Sequence, residues 1–337
     1  MKKNVFILLL SILFLQIARA EKSDSLVVYL KNSGKKVEVR DSADFVRVIM
    51  PPDSSADKDL YRVFEYYPNG KRRSVATSFT NTSRLVLDGA CLEYFPNGKR
   101  RRTSQYKNGI LTGDMFNYYP DGKLYCHLKI KDAVGYSSYG TRYYRPILSS
   151  SSYYKIHIIE LRDALGKLVA SDGTGHVIIY DEDFNIIQEE GDIINDKREG
   201  EWKGRIADTA NFTCTYHKDV FKKGITHTRS GKQYTFNAIE VLPVFSDGNE
   251  AFFIFLKKNA QYPESALKRN IQGGVIVEFT VEPNGTVSNP KVIKGLMKSA
   301  DDEALRVVGL SPLWIPGAIY GIPIPMQTTV QVGFFKN

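Results

Sequence analysis

Hydrophobic positions follow two periods along the chain. Over most of its length they alternate or fall in aromatic pairs, the period of strands, and from about residue 250 helical spacing joins in. Leu26-Val27-Val28-Tyr29-Leu30 is a strand candidate, and Pro51-Pro52-Asp53-Ser54-Ser55 reads as a loop. From Glu250, Phe252, Phe255 and Leu256 share one face of a short helix ending near Asn259. Ala260-Gln261-Tyr262-Pro263 stops it, and Glu264 to Asn270 suits a second short helix with Ala266 and Leu267 inward and Pro263 at its first turn. Val275, Val277, Phe279 and Val281 then alternate with Ile276, Glu278 and Thr280 as a half-buried strand. Pro283-Asn284-Gly285 turns the chain into a return strand, Val287 to Lys294. Asp301 to Val308 predicts a helix burying Ala304, Leu305 and Val308, closed by Pro312 to Pro316, and the last strand sets Val330, Val332 and Phe334 on one face. The predicted order is ααββαβ, with a domain boundary near residue 245.

Upstream, three segments match one another: Tyr66-Tyr67-Pro68-Asn69-Gly70-Lys71, Tyr94-Phe95-Pro96-Asn97-Gly98-Lys99 and Tyr118-Tyr119-Pro120-Asp121-Gly122-Lys123. An aromatic pair suits a strand, and Pro-Asn/Asp-Gly supplies a turn, so each unit reads as a hairpin. Gly89 and Gly113 stand at equal spacing before the second and third copies. Looser echoes at Gly175 to Tyr180, Gly191 to Asn195 and Gly200 to Gly204 extend the array to about residue 235, with a Tyr- and Ser-rich interruption over 135–160. These units resemble MORN-type repeats. The fold class expected is a mainly β N-terminal region of stacked antiparallel hairpins followed by an α+β domain. A lone hairpin cannot bury its aromatic face, so stacking is what stabilises such an array. The aromatic pairs therefore read first as core, with one residue of each pair turned inward, and second as a stacking surface for sugars or bases.

The N-terminus adds a location. Met1-Lys2-Lys3, an apolar run from Val5 to Ile17 and Ala18-Arg19-Ala20 follow the order of an export signal, predicting cleavage after Ala20 and a periplasmic chain. An uncleaved inner-membrane anchor facing the periplasm is the alternative. The expected organisation is a signal over 1–20, an N-terminal segment over 21–60, hairpin repeats over 61–240 and a terminal domain over 245–337.

Formal charge is +9, and removing Lys2, Lys3 and Arg19 with the signal leaves +6. Much of that excess lies in Lys71-Arg72-Arg73 and Lys99-Arg100-Arg101-Arg102, beside the turns. Such runs meet anionic peptidoglycan, lipopolysaccharide or nucleic acid, or are solvated turn flanks, the plainer reading; nucleic acid is not the expected partner. Cys91, Cys126 and Cys214 allow at most one disulfide within the chain, and neither CxxC nor a Cys–His cluster suggests zinc. The five histidines show no triad spacing, and Gly173-Thr174-Gly175 lacks the Lys-Ser/Thr ending of a phosphate loop. No catalysis, cofactor or small-molecule substrate is expected.

The C-terminal order and Gln261-Tyr262-Pro263, Ala266, Gly274-Val275, Asn284-Gly285, Val292, Ala304-Leu305 and Trp314-x-Pro316 resemble the C-terminal domain of TonB. The lead-in Val241-Leu242-Pro243-Val244-Phe245 is similar to that of TonB-like proteins of the Bacteroidetes, implying a Gram-negative source. The resemblance implies a non-catalytic task, in which the final strand pairs with a short extended segment of a TonB-dependent outer-membrane receptor. Carried over by position, the partner-binding residues are Gln327, Thr328, Thr329, Val330, Gln331, Val332 and Phe334, with Gln261, Tyr262 and Pro263 nearby. Packing is the competing role for Tyr262, Pro263 and Trp314. Self-association through the same edge, or cell-wall binding through the basic repeats, is the alternative partner reading. TonB's inner-membrane helix and proline-rich spacer are not evident in the sequence.

Overall fold

The computed structural model describes residues 25–53, 59–82, 84–131 and 155–336, and for Asn249 its backbone alone. The expected signal segment and Ala20 lie outside the described residues, as does most of the Tyr- and Ser-rich interruption. The chain divides into two units, residues 1–199 and 200–337.

The first unit begins with β1 (Leu26–Leu30), β2 (Lys36–Val37), β3 (Phe45–Met50), β4 (Tyr61–Tyr66) and β5 (Arg72–Ser78). The matching repeats supply β6 (Gly89–Tyr94), β7 (Arg100–Lys107), β8 (Ile110–Tyr118) and β9 (Leu124–Lys131). Then come β10 (Lys155–Arg162), β11 (Leu168–Ser171), β12 (Thr174–Tyr180) and β13 (Ile187–Ile194). β1 pairs with both β2 and β3, and from β3 to β13 each strand pairs antiparallel with the next.

The turn chemistry explains the repeat. Tyr67, Phe95 and Tyr119 each accept the N–H of the glycine three residues on and donate their own N–H to the following lysine carbonyl. Gly98 and Gly122, at φ 91° and 92°, occupy the left-handed region where glycine is unstrained. The Asn97 side chain closes its own turn by accepting Lys99 N–H at 2.9 Å, then donates to Pro120 O of the next turn at 2.8 Å. Lys99 Nζ reaches Asp121 O at 2.6 Å, Lys71 Nζ reaches Asn97 O at 3.1 Å, and Lys123 Nζ reaches Ala164 O at 3.1 Å. Successive turns are thus tied into a ladder. The same pair of turn bonds recurs at Lys31–Lys35, Asp163–Lys167 and Thr228–Lys232.

Each of the three matching hairpins carries a register shift just before its first aromatic, at Glu65/Tyr66, Glu93/Tyr94 and Asn117/Tyr118. Such a bulge inserts one extra residue on the return strand. The inserted residues are Arg73, Arg101 and Tyr125. Arg73 lies 3.9 Å over the Phe45 ring and binds Glu65, Arg101 lies 5.6 Å over Phe95, and Tyr125 is 4% exposed. Glu65 is fully buried, and Arg47 meets it at 2.8 Å, so its charge is compensated inside the sheet. Phe95, Tyr119, Tyr125, Tyr180 and Phe184 form a ring cluster on the same side, while Ile49, Val63, Ala76, Leu85, Leu87 and Cys91 form an aliphatic one. All three cysteines are buried, and burial pushes the Cys126 thiol up to about 12.

The second unit holds most of β14 (Lys197–Ile206), then β15 (Ala210–His217), β16 (Val220–Thr228) and β17 (Gln233–Phe236), again antiparallel. Short β18 (Glu240–Val241) and β19 (Val244–Phe245) lead into α1 (Gly248–Asn259) and α2 (Glu264–Lys268). There follow β20 (Gly273–Val281), β21 (Val287–Lys294), α3 (Lys298–Gly309), β22 (Trp314–Ile315), β23 (Ala318–Ile319), β24 (Ile322–Pro323) and β25 (Met326–Phe334). Val275, Val277, Phe279 and Val281 bury one face of β20 against Ala300, Ala304, Val307 and Val308 of α3 and Phe252 and Leu256 of α1.

Two details differ from the sequence reading. Leu267 is 38% exposed, because the single-turn α2 buries Ala266 and sets Ser265 Oγ 2.7 Å from Ser299 Oγ of α3, which leaves Leu267 on the outer side. The segment around Pro312 to Pro316 is also more than a closing loop, since β22 pairs with β19 and β23 pairs with both β18 and β24.

Candidate functional site

The three-stranded sheet of the C-terminal domain runs β21–β20–β25, leaving two edges of different character. β21 is blunted. Its pairing with β20 shifts register twice, Asn289 takes φ 52°, and Pro290 follows it within the strand. These are devices that keep an edge from recruiting another strand. β25 has none of them: its sequence MQTTVQVGF contains no proline and no charge. It pairs with β20 over nine consecutive positions, Gly273↔Phe334 to Val281↔Met326, without a shift. Among the described residues no strand pairs with its other edge. In an antiparallel ladder every second residue turns its N–H and C=O away from the neighbour, so β25 offers a regular row of such groups.

The side chains of β25 divide by face. Val332 and Phe334 are buried, and Val330 packs partly against the same core. Gln327, Thr329 and Gln331 are exposed, and Thr328 is half-buried. Gln331 lies back across β20, where a Cβ on Gly274 would sit 2.2 Å from its Nε2, so glycine at 274 is what leaves room for that amide. Sequence reasoning missed this seat, as it missed the edge protection on β21; the Asn289-Pro290 pair was the available signal.

Gln261, Tyr262 and Pro263 lie between α1 and α2. Only Tyr262 is brought to β25, its ring edge-on to Phe334 at 5.8 Å, while its hydroxyl donates to Ile271 O at 2.7 Å. Gln261 donates its backbone N–H to Glu303 Oε1 on α3 at 2.6 Å, and Pro263 accepts the N–H groups of Ala266 and Leu267 at the start of α2. The Arg306 hydrogen bond and the Gln261 N–H hold the Glu303 carboxyl below the usual carboxylate range. Arg306 also donates to Asn259 O at 2.8 Å, so this pair clamps the linker that carries Tyr262. Trp314 is 7% exposed and meets Phe245, Phe252 and Phe279 at 5.2–5.5 Å, a packing role.

The basic runs are largely engaged within the fold. Beyond the turn lysines and inserted arginines, Arg102 bonds Asn117 Oδ1 at 2.7 Å and faces Glu93 at 3.4 Å. Among the described residues no group of three or more His, Cys, Asp or Glu is placed to hold a metal, and no helix is long and apolar enough to cross a membrane.

Fold and edge together define a β-rich repeat protein that ends in a compact α+β module with one unprotected edge. Residues 258–335 match the family of the Gram-negative bacterial TonB protein C-terminal, and residues 87–108 and 111–132 match the MORN repeat variant. The chain therefore carries a TonB-type C-terminal domain behind N-terminal MORN repeats. A comparison with curated proteins gives no match. The first match covers the α+β module, which is the part of the chain similar to a TonB protein of Gram-negative bacteria.

Proposed function

We propose that this protein engages TonB-dependent outer-membrane receptors by taking an extended receptor segment as an additional strand on β25. The observation that carries the reading is the contrast between the two sheet edges, β21 bulged and interrupted by Pro290, β25 regular over nine paired residues. Strand addition draws its affinity mainly from backbone hydrogen bonds, and side-chain pockets tune it. Gln327, Thr329 and Gln331 would supply polar contacts on the open face, with Tyr262 at the Phe334 end. Residues 1–20 would direct export with cleavage after Ala20, 21–60 would lead into the array, 61–240 would present the repeats in the periplasm and 245–337 would bind.

Alternation along β25 supplies the test, because of two adjacent residues one directs its N–H outward. Thr329→Pro and Val330→Pro are compared for capture of a peptide spanning a receptor's N-terminal periplasmic segment. The variant that loses only an outward donor is expected to keep the fold and lose at least tenfold in affinity. Undiminished capture by both folded variants would refute strand addition. Pairing of two copies through the same edge is the second reading, and sedimentation equilibrium of the full chain separates it from peptide binding.

A further inference from the structure

The bulges sort the repeat side chains onto two faces, and the outer one has a composition the packing does not require. Facing inward are Tyr67, Tyr119 and Tyr125, whose hydroxyls donate to Tyr94 O, Arg162 O and Ile178 O. Facing outward are Tyr66, Tyr94 and Tyr118, half-buried, with no hydrogen bond from their hydroxyls among the described residues. The arginines divide in the same way. Arg47, Arg73 and Arg102 meet Glu65 or Glu93, while Arg72 and Arg100 are exposed and have no carboxylate partner among the described residues. Arg72 pairs across the ladder with Tyr66, and Arg100 with Tyr94, its guanidinium also lying 6.0 Å from the Tyr118 ring.

The result is a row that reads Tyr66, Arg72, Tyr94, Arg100, Tyr118 across five consecutive strands. Each ring is two strand spacings from the next, about 9.6 Å. That is close to the length of one disaccharide in an extended β-1,4-linked polysaccharide. Planar rings with unpartnered hydroxyls suit sugar faces, and an arginine on the strand between each pair, Arg72 with its guanidinium 5.7 Å over Phe64 and Arg100 with its own beside Tyr118, suits one acidic group per disaccharide. We infer that this outer face binds an extended glycan with that chemistry, the glycan strand of the bacterial cell wall. A wall-bound array would hold the C-terminal module at a fixed place in the envelope, and the inference does not depend on strand addition at β25.

The test uses the full chain with purified cell-wall sacculi in co-sedimentation, and with soluble wall glycan strands, neutral chitin oligomers and lipopolysaccharide vesicles in titration. Wild type is expected to bind soluble strands freed of their stem peptides, whose lactyl carboxylates are unblocked, and to bind sacculi through the stem-peptide carboxylates beside the glycan, with chitin oligomers at least tenfold weaker for want of any acidic group. Tyr94→Ala combined with Arg100→Gln is expected to lose at least tenfold, whereas Lys107→Gln, which removes a charge at the far end of β7, changes binding less than twofold. Tyr94→Phe, which removes only the unpartnered hydroxyl, is expected to keep the unfolding midpoint and lose two- to fivefold in affinity. Wall binding unaffected by the double substitution, or equally weakened by Lys107→Gln, would overturn the inference. So would tighter binding to lipopolysaccharide vesicles than to glycan strands.

Discussion

Tyr320 offers a sharp test of how the C-terminal module is seated within the second unit. It occupies the two-residue turn between β23 and β24, where Tyr320 and Gly321 take φ 51° and 77°. Its ring stacks on Phe212 at 4.3 Å and 17° and meets Phe236 edge-on at 5.7 Å. Its backbone is held as well: Thr226 Oγ1 donates to Tyr320 O and Tyr320 N donates to Ile239 O, both at 2.7 Å. Tyr320→Ala keeps the backbone bonds and the left-handed conformation but deletes both ring contacts. Each aromatic pair contributes about 0.5–1.5 kcal/mol beyond its buried area, and full truncation of a buried ring costs about 3–5 kcal/mol. For this half-buried ring the expected loss is about 2–3 kcal/mol. Global unfolding of a two-unit chain is not a clean two-state process, so the proper reading is local amide exchange over residues 233–241 and 318–324. A loss of that size accelerates exchange by roughly 30- to 150-fold. A double-mutant cycle with Phe212→Leu is expected to show a coupling of at least about 0.5 kcal/mol. Exchange accelerated less than threefold, or strict additivity in the cycle, would show that the hairpin is not seated by this ring.

Other expectations follow from the same reasoning. Gly224 lies under the Phe236 ring, where a Cβ would fall 2.1 Å from Cζ, so Gly224→Ala is expected to cost about 1–3 kcal/mol by calorimetry, with partial rescue by Phe236→Leu. Asn97→Ala removes both a turn bond and a turn-to-turn bond and is expected to cost about 1–2 kcal/mol, measured by urea denaturation. Because the Arg306 hydrogen bond holds the folded Glu303 carboxyl below the ordinary glutamate range, its contribution is present above that range and is lost as pH falls through the folded value; the melting difference between wild type and Glu303→Gln is expected to be larger at pH 6 than at pH 3. The Cys126 thiol, raised from 9.0 to about 12, favours the folded state below pH 9 and loses that contribution as pH climbs toward 12, so native Cys126 is expected to resist alkylation at pH 8 and to react only after denaturation.

The ααββαβ order and the hairpin turns were legible because both rest on local signals, a period in the side chains or Pro-Asn-Gly at a fixed place. β22, β23 and β24 were not, because two-residue strands have no period and are held by partners such as β18 and β19 some seventy residues away in sequence. The bulges were equally hidden. Nothing in Lys71-Arg72-Arg73 or Lys99-Arg100-Arg101-Arg102 says which arginine is the inserted one, yet one residue of slip exchanges the two faces of the sheet. With the shift at Glu65/Tyr66, Arg73 goes inward to Glu65 and Phe45 while Arg72 remains outside. The charge run that reads as one basic patch is thus two populations, one compensating buried carboxylates and one facing solvent between tyrosines. The edge of β25 follows the same logic in reverse. The sequence Gln327 to Phe334 reads as a strand, but that it is available for pairing depends on which strands lie beside it and on the blunting of β21 by Asn289 and Pro290. Local pattern identifies the elements; exposure of a particular face or edge, on which both proposed binding roles depend, is set by long-range register.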